Sequence, residues 1–399
     1  MPGPLEGVRI IEFTSVVLGP LACQLLADMG ADVIKIEPPY GDSNRQVGAA
    51  RHEGMGAFYL TCNRNKRGIV LDVKQPAGRR AVLDLVSTAD VFIHNSRPQV
   101  VARLGLDYEA LRAVNPQVIY CGAYGSSRQG PYGGHGAFDD SIQSLSGAAA
   151  LNEPLFGEPR YLPTLVADKT AAMTVVYGVL AALFRRERTG AGQEVEVPMF
   201  ETMVSYLMAE HLGGMTFDPP MGPPGYTRLL SKDRKPYKTR DGYIAILPYM
   251  NAHWATFCTL SGRADLLEDP RFKTVADRSR NIDATYAETA RIMSTRTTRE
   301  WLELFRETSV PINRVNSLED LADDPHLLET GFWRFTEHPT EGRLRGTAFP
   351  VNFFGTPTDE TRRHAPRLGE HTREVLREAG YDDDRIEAML ASGAAVAAD

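Results

Sequence analysis

The chain has 399 residues, 44 of them basic and 51 acidic, for a formal net charge of −7. Hydrophobic residues at 43% and charged residues at 24% give a globular composition and exclude a disordered or fibrous chain. The length predicts two or three domains at roughly 100–200 residues each, and an acidic balance without a dense Lys/Arg tract argues against nucleic acid or an anionic membrane as partner.

The first 125 residues alternate short Val/Ile-rich runs with helical patterns. Residues 8–13 (VRIIEF), 33–37 (VIKIE), 69–73 (IVLDV), 91–94 (VFIH) and 118–123 (VIYCGA) read as buried parallel strands. Helical segments lie between them at Pro20 to Met29, stopped by Gly30, and at Pro76 to Thr88. This alternation predicts right-handed crossovers and a doubly wound α/β sheet. Residues 126–160 read as loop with one helical piece around Ser141–Ala150. A long amphipathic helix opens near Asp168, and the strand QEVEV and the helix-like FETMVSYLMAEHL follow it. The Gly/Pro-rich stretch 213–225 reads as a linker. Beyond it, YKTRDGYIAIL predicts two strands around an Asp-Gly turn, and helical patterns fill 251–309, so 226–325 forms a smaller α/β domain. The tail contributes a closing helix near 370–379.

Cys23, Cys62, Cys121 and Cys258 lie far apart with no Cys-x-x-Cys pair, which speaks against a zinc site and a disulfide framework. The N-terminus MPGPLEGVRIIEF has no leader pattern, and no run approaches roughly 18 apolar residues, so a soluble cytoplasmic protein is expected.

The first strand–helix turn, TSVVLGP, holds one glycine, Gly19, where a dinucleotide pyrophosphate needs three, and so argues against a nicotinamide or flavin cofactor. It still ends at a helix N-terminus able to receive an anion. Arg45, Arg64, Lys66, Arg67, Lys74, Arg97 and Arg103 gather in the connections of the N-terminal half, where phosphates would need donors or where solvated charges would simply sit. Asp168 follows the apolar LPTLVA. It reads as an ordinary N-cap, and also as a carboxylate held ionised by the helix N-terminus and available as a nucleophile. His135 stands in GPYGGHGAFDD, near Asp139 and Asp140. No His-Glu-x-x-His and no Gly-x-Ser-x-Gly occurs.

These residues resemble a known family. LEGVRIIEFTSVVLGPLACQLLADMGADVIKIEPPYGDSNR, NRNKRGIVLDVK, NSRPQVVARLGLDYEALRAVNPQVIYCGAYG, the Asp168 helix, GQEVEVPMFE and APRLGEHTREVL are similar to the family III CoA-transferases of CaiB/BaiF type. That family also contains formyl-CoA transferase and the α-methylacyl-CoA racemases. The resemblance implies a large Rossmann-like domain made from 1–212 and 326–399, a small domain inserted at 226–325, and two chains interlocked as a homodimer. It implies Asp168 as nucleophile, CoA contacts at Val16, Lys74, Asn95, Arg97 and Arg103 with Arg45 as a further candidate, acyl-CoA and a carboxylic acid as substrates, no metal and no tightly bound cofactor. The expected reaction is CoA transfer through a covalent aspartyl intermediate; the alternatives are α-proton exchange, as in the racemases, and CoA binding without catalysis. Two departures stand out. Where many family members carry a glycine-rich flap, this chain reads AILPYMNAHW. Where the racemases carry a His before an Asp, it has Phe138 before Asp139, with His135 three residues earlier.

Overall fold

Runs that are apolar on both sides fit only a sheet covered by helices on both faces, and that is where they lie. The computed structural model describes residues 3–356 and 362–398. In chain order its first half runs β1 (Arg9–Phe13), α1 (Leu18–Asp28), β2 (Asp32–Glu37), α2 (Ala57–Cys62), β3 (Lys66–Leu71), α3 (Pro76–Val86), β4 (Val91–His94), α4 (Pro98–Leu104), α5 (Tyr108–Val114), β5 (Ile119–Tyr124), α6 (Asp139–Leu145), α7 (Glu153–Phe156), α8 (Val166–Thr189), β6 (Gln193–Pro198) and α9 (Met199–His211). The second half continues β7 (Tyr237–Lys238), β8 (Tyr243–Ile246), α10 (Asn251–Leu260), α11 (Val275–Arg280), α12 (Ile282–Met293), α13 (Thr298–Phe305), β9 (Ile312–Arg314), α14 (Pro325–Glu329), β10 (Trp333–His338), β11 (Gly342–Thr347), α15 (Thr372–Glu378), α16 (Asp383–Ala391) and β12 (Ala395–Val396).

Seven strands form one sheet in the order β12-β3-β2-β1-β4-β5-β6. β1 to β6 are parallel, with Ile11 beside Ile34 on one side and Phe92 on the other, and β12 alone is antiparallel, pairing Ala395 with Leu71. The chain winds from β1 out to β3, then returns to β4 on the opposite side of β1. That reversal opens a crevice at the carboxyl ends of β1 and β4, the usual ligand position in such a sheet.

Two compact units divide the chain. The larger holds Met1–Ser146, Leu162–Tyr206 and Leu328–Asp399, and therefore draws on both chain ends; the smaller holds Gly147–Tyr161 and Leu207–Leu327. In the smaller unit, β7-β8-β9 form an antiparallel sheet over a core that includes Trp254, Phe257, Phe272, Trp301 and Phe305.

The elements differ from the sequence expectations at several points. β3 begins at Lys66, three residues before the expected run, because the Lys66 ammonium is fully buried against Glu12 Oε2 at 2.8 Å. The segment 213–225 is closed on itself: Gly214 N–H donates to Pro223, Met221 N–H to Gly214 and Gly225 N–H to His211. A Cβ on Gly214 would collide with the Gly222 backbone, so this turn needs glycine there. The tail also holds the hairpin β10–β11, whose alternation of charged and aromatic residues hid it. Finally, α8, with 24 residues, is long and apolar enough to cross a membrane, which corrects the expectation that no segment is. Its inner face packs against α1, α6, β5 and β6 as a core helix.

Candidate active site

The crevice at the β1/β4 reversal contains a cavity of about 230 Å³. Its walls come from the turn after β1 (Ser15 to Leu18), the turn after β4 (Asn95, Arg97), the end of β5, the loop Gly134–Phe138, and Asp168.

The first turn is held in a strained shape. Val16, a β-branched residue, has φ of 69°, a left-handed conformation that such residues adopt only when their surroundings impose it. Here the surroundings do. Val16 N–H donates to Asp42 Oδ1 at 3.2 Å, Asn44 donates to the Val16 carbonyl, and Asn95 exchanges two hydrogen bonds with the Ser15 backbone at 3.1 and 2.8 Å. Beneath the turn, the buried Lys35 ammonium reaches Glu12 at 3.1 Å, Asp42 at 3.0 Å and the Thr14 carbonyl at 2.9 Å. Burial alone would lower the Lys35 pKa, but Glu12, then Asp42 and Glu37, outweigh it and hold the group charged. Gly19 has a packing role: a Cβ there would collide with Thr14. No side chain caps α1, so its first amides stand at the cavity as an uncapped, positively polarised end.

Asp168 is the third residue of α8, and it is not the cap. Asp139, the first residue of α6, caps α8 from outside. Its Oδ1 accepts the N–H groups of Ala167 at 2.8 Å and Asp168 at 3.0 Å, while its Oδ2 accepts from Gln143 at 2.6 Å. Among the described residues the Asp168 carboxyl has no hydrogen-bond or ion-pair partner, and it stands in a cavity wall, 9% exposed. Burial, and after it the negative charge of Asp139, push its pKa up to about 7. Burial and Asp139 thus favour the neutral carboxyl, the opposite direction from the expected pull of the helix end toward the ionised form. A desolvated carboxyl with a raised pKa in a cavity wall is a pattern of reactive sites.

The candidate residues separate into three groups. Val16, Asn95 and Arg97 line the cavity with Asp168, although Asn95 spends its amide on the Ser15 backbone. Lys74 and Arg103 are exposed, in the turn after β3 and the last turn of α4, and with Arg97 they form no ion pair among the described residues. Arg45 does not join them. It is 2% exposed and bound to Glu37 at 2.8 and 2.6 Å, to the Tyr59 hydroxyl at 2.6 Å and to the Pro366 carbonyl at 3.1 Å. Arg64, Lys66 and Arg67 are likewise engaged, with Asp28, Glu12 and Asp32. His135 and Phe138 line the same cavity as Asp168. Sequence reasoning missed Tyr124, which also lines the cavity, and His94 beneath it, whose ring lies 5.5 Å from that of Tyr124. Burial lowers the His94 pKa to about 3, so its imidazole is neutral.

The sequence pattern of CoA-transferase family III matches residues 5–372. The chain belongs to CoA-transferase family III. This transferase is 31% identical to the Mus musculus succinyl-CoA:glutarate CoA-transferase over 98% of its own length and 90% of the relative's. It is 30% identical to a formyl-CoA:oxalate CoA-transferase of Rhodopseudomonas palustris, over 99% and 98% of the two chains. The crystal structure of a CAIB/BAIF family protein from Brucella suis superposes with a TM-score of 0.80 at 29% identity, covering 95% of the transferase and all of that chain. The enzyme acts as an acyl-CoA:carboxylate CoA-transferase.

Removing Lys74 or Arg103 tests the CoA assignment. Lys74→Ala and Arg103→Ala should each weaken CoA binding about three- to tenfold at low salt, and less at high salt as screening grows; titration calorimetry reads both. Arg45→Ala should instead lower Tm, because it leaves Glu37 buried without its cation, at a cost of about 3–5 kcal/mol.

Proposed function

We propose that Asp168 carries the exchange covalently and that the acceptor is a dicarboxylic acid. Asp168 Oδ attacks the thioester carbonyl of the donor; the C–S bond breaks, releasing CoA thiolate and leaving a mixed anhydride. The thiolate attacks the aspartyl carbonyl, giving an aspartyl-CoA thioester and the free first acid. The acceptor carboxylate attacks that thioester and expels the thiolate, which then attacks the acceptor's acyl carbon, forming the new acyl-CoA and restoring the Asp168 carboxylate. Each step exchanges one acyl bond for another, so the thioester energy is conserved without ATP. In this reading the uncapped α1 end, whose Val17 and Leu18 line the same cavity, stabilises the oxyanions. The observation carrying this reading is the Asp168 carboxyl itself, relieved of capping by Asp139 and open to the cavity. The acceptors named for the two relatives, glutarate and oxalate, are both dicarboxylic acids, which supports the substrate class. Exchange from succinyl-CoA to a panel of mono- and dicarboxylic acids tests it: dicarboxylates should be faster, and equal rates with monocarboxylates of the same length would contradict the class.

His135, in the same cavity, is the observation that keeps α-proton exchange as a second reading. Deuterium uptake at the α-carbon of an acyl-CoA, with no exchange of the CoA, would decide for it.

A homodimer belongs to the same proposal. Besides its buried face, α8 exposes Met173, Tyr177 and Phe184, each at 60% or more. A helix apolar on both sides is one that is covered on both sides, and a second copy of this chain is the proposed cover, interlocked through the two-ended larger unit. Sedimentation at nanomolar protein should find a dimer; a folded, active monomer would contradict it.

A further inference from the structure

The smaller unit holds a cluster of cationic groups for which the transfer chemistry has no use. Two adjoining cavities, of about 40 and 360 Å³, share Arg228, Tyr237, Ile246, Leu247 and Tyr286. Neither is lined by a single Asp or Glu, although Arg278 lines the first and Arg234 and Lys235 the second. The carboxylates nearby are already engaged: Asp233 with Lys235 at 3.6 Å, and Asp283 with the Ser231 hydroxyl.

Arg278 is 4% exposed, and its guanidinium meets the carbonyls of Phe272 and Tyr249 and the Asn251 amide oxygen, but no carboxylate. Burial holds its pKa below the ordinary value. Arg228 is half-buried, lies 5.3 Å from the Tyr249 ring centroid, has the Tyr226 and Tyr286 hydroxyls as its leading electrostatic neighbours, and forms no ion pair among the described residues. Beside it the Tyr286 hydroxyl, on a residue 6% exposed, faces the Arg228 guanidinium but completes no well-aligned hydrogen bond among the described residues. A buried hydroxyl whose hydrogen bond is incomplete and a buried cation without a counter-ion are both costly. One anion in this hollow would relieve both. Ile246 and Leu247 give the hollow an apolar wall, which suits an anion with a short hydrocarbon body better than a bare phosphate.

We propose that this hollow is a binding site for a small carboxylic acid, with Arg228 and the Tyr286 hydroxyl donating to the carboxylate and Arg278 supplying buried positive charge. It does not depend on the chemistry at Asp168, because binding is read directly.

Calorimetric titration of the intact protein with sodium glutarate tests the site. Arg228→Met should weaken one binding component at least tenfold and Tyr286→Phe at least threefold, while Arg97→Ala, on the other cavity, leaves that component in place. Tyr286→Phe removes a single oxygen and keeps the test valid if Arg228→Met fails to fold. A tenfold rise in KM for the free acid in both variants would identify the occupant as the acceptor; binding lost with KM unchanged would identify a separate acid effector. Unchanged isotherms in both variants would overturn the proposal, as would inorganic phosphate binding as tightly as glutarate.

Discussion

Asp168→Asn should abolish CoA exchange, by about a thousandfold or more, and at the same time raise Tm in mild alkali. The two effects have one origin. Asp139 caps α8, and among the described residues the Asp168 carboxyl makes no hydrogen bond that an amide would lose. Its folded pKa, pushed up to about 7 by burial and then by Asp139, lies above the ordinary 3.8 of the unfolded chain. A raised acid contributes stability that is full below the unfolded value and is lost as pH rises through the folded one. At pH 8 the wild type therefore carries an unfavourable buried charge that the Asn variant lacks, and at pH 4 the two should melt alike. An increase of about 1–3 °C at pH 8, absent at pH 4, is expected from calorimetric melting. Equal exchange rates, after mass measurement shows the amide intact, would refute the nucleophile.

Asp139→Asn is the companion experiment, because it separates the two jobs of Asp139. Asn caps a helix about as well as Asp, so the α8 amides keep an acceptor. Gln143 instead loses its carboxylate and faces an amide N–H, at a cost of about 1–3 kcal/mol. With the negative charge gone, the Asp168 pKa falls from about 7. The pH profile of the first half-reaction, which requires the anion and so rises with pH, should shift to lower pH. Asp139→Ala should shift the profile the same way and also lower Tm, since it leaves Ala167 and Asp168 uncapped, at a further cost of about 0.5–2 kcal/mol. A rate profile with an unchanged midpoint in both variants would remove Asp139 from the electrostatics of the site.

Much of this architecture was legible in the sequence. Val/Ile runs bounded by breakers marked β1, β2, β4 and β5, and their alternation with helices gave the sheet its winding and hence the crevice where Asp168, Val16 and Arg97 meet. What stayed hidden depends on long-range pairs. Arg45 looked like a phosphate ligand until Glu37 and Tyr59 closed around it, and Lys66 looked solvated although Glu12 holds it in the core. A charged residue carries no local mark of its distant counter-ion. The cap on α8 was hidden for the same reason: Asp139 lies 29 residues before Asp168, and no spacing rule within a helix reports it. The hairpin β10–β11 was masked by Arg343 and Arg345, whose guanidinium groups stack on Phe335 at 4.3 and 5.3 Å and so make charged positions part of an aromatic face.

The central claim is that the acyl group passes through the side chain of Asp168. The most direct measurement is to incubate the enzyme with succinyl-CoA and no acceptor, quench with hydroxylamine, and sequence the Asp168 peptide by mass spectrometry. An activated aspartyl carbonyl is electrophilic, so the account predicts a hydroxamate on Asp168 that forms more completely as pH rises through about 7 and is absent without succinyl-CoA. An unmodified Asp168 peptide from enzyme that exchanges CoA at its full rate under the same conditions would contradict it.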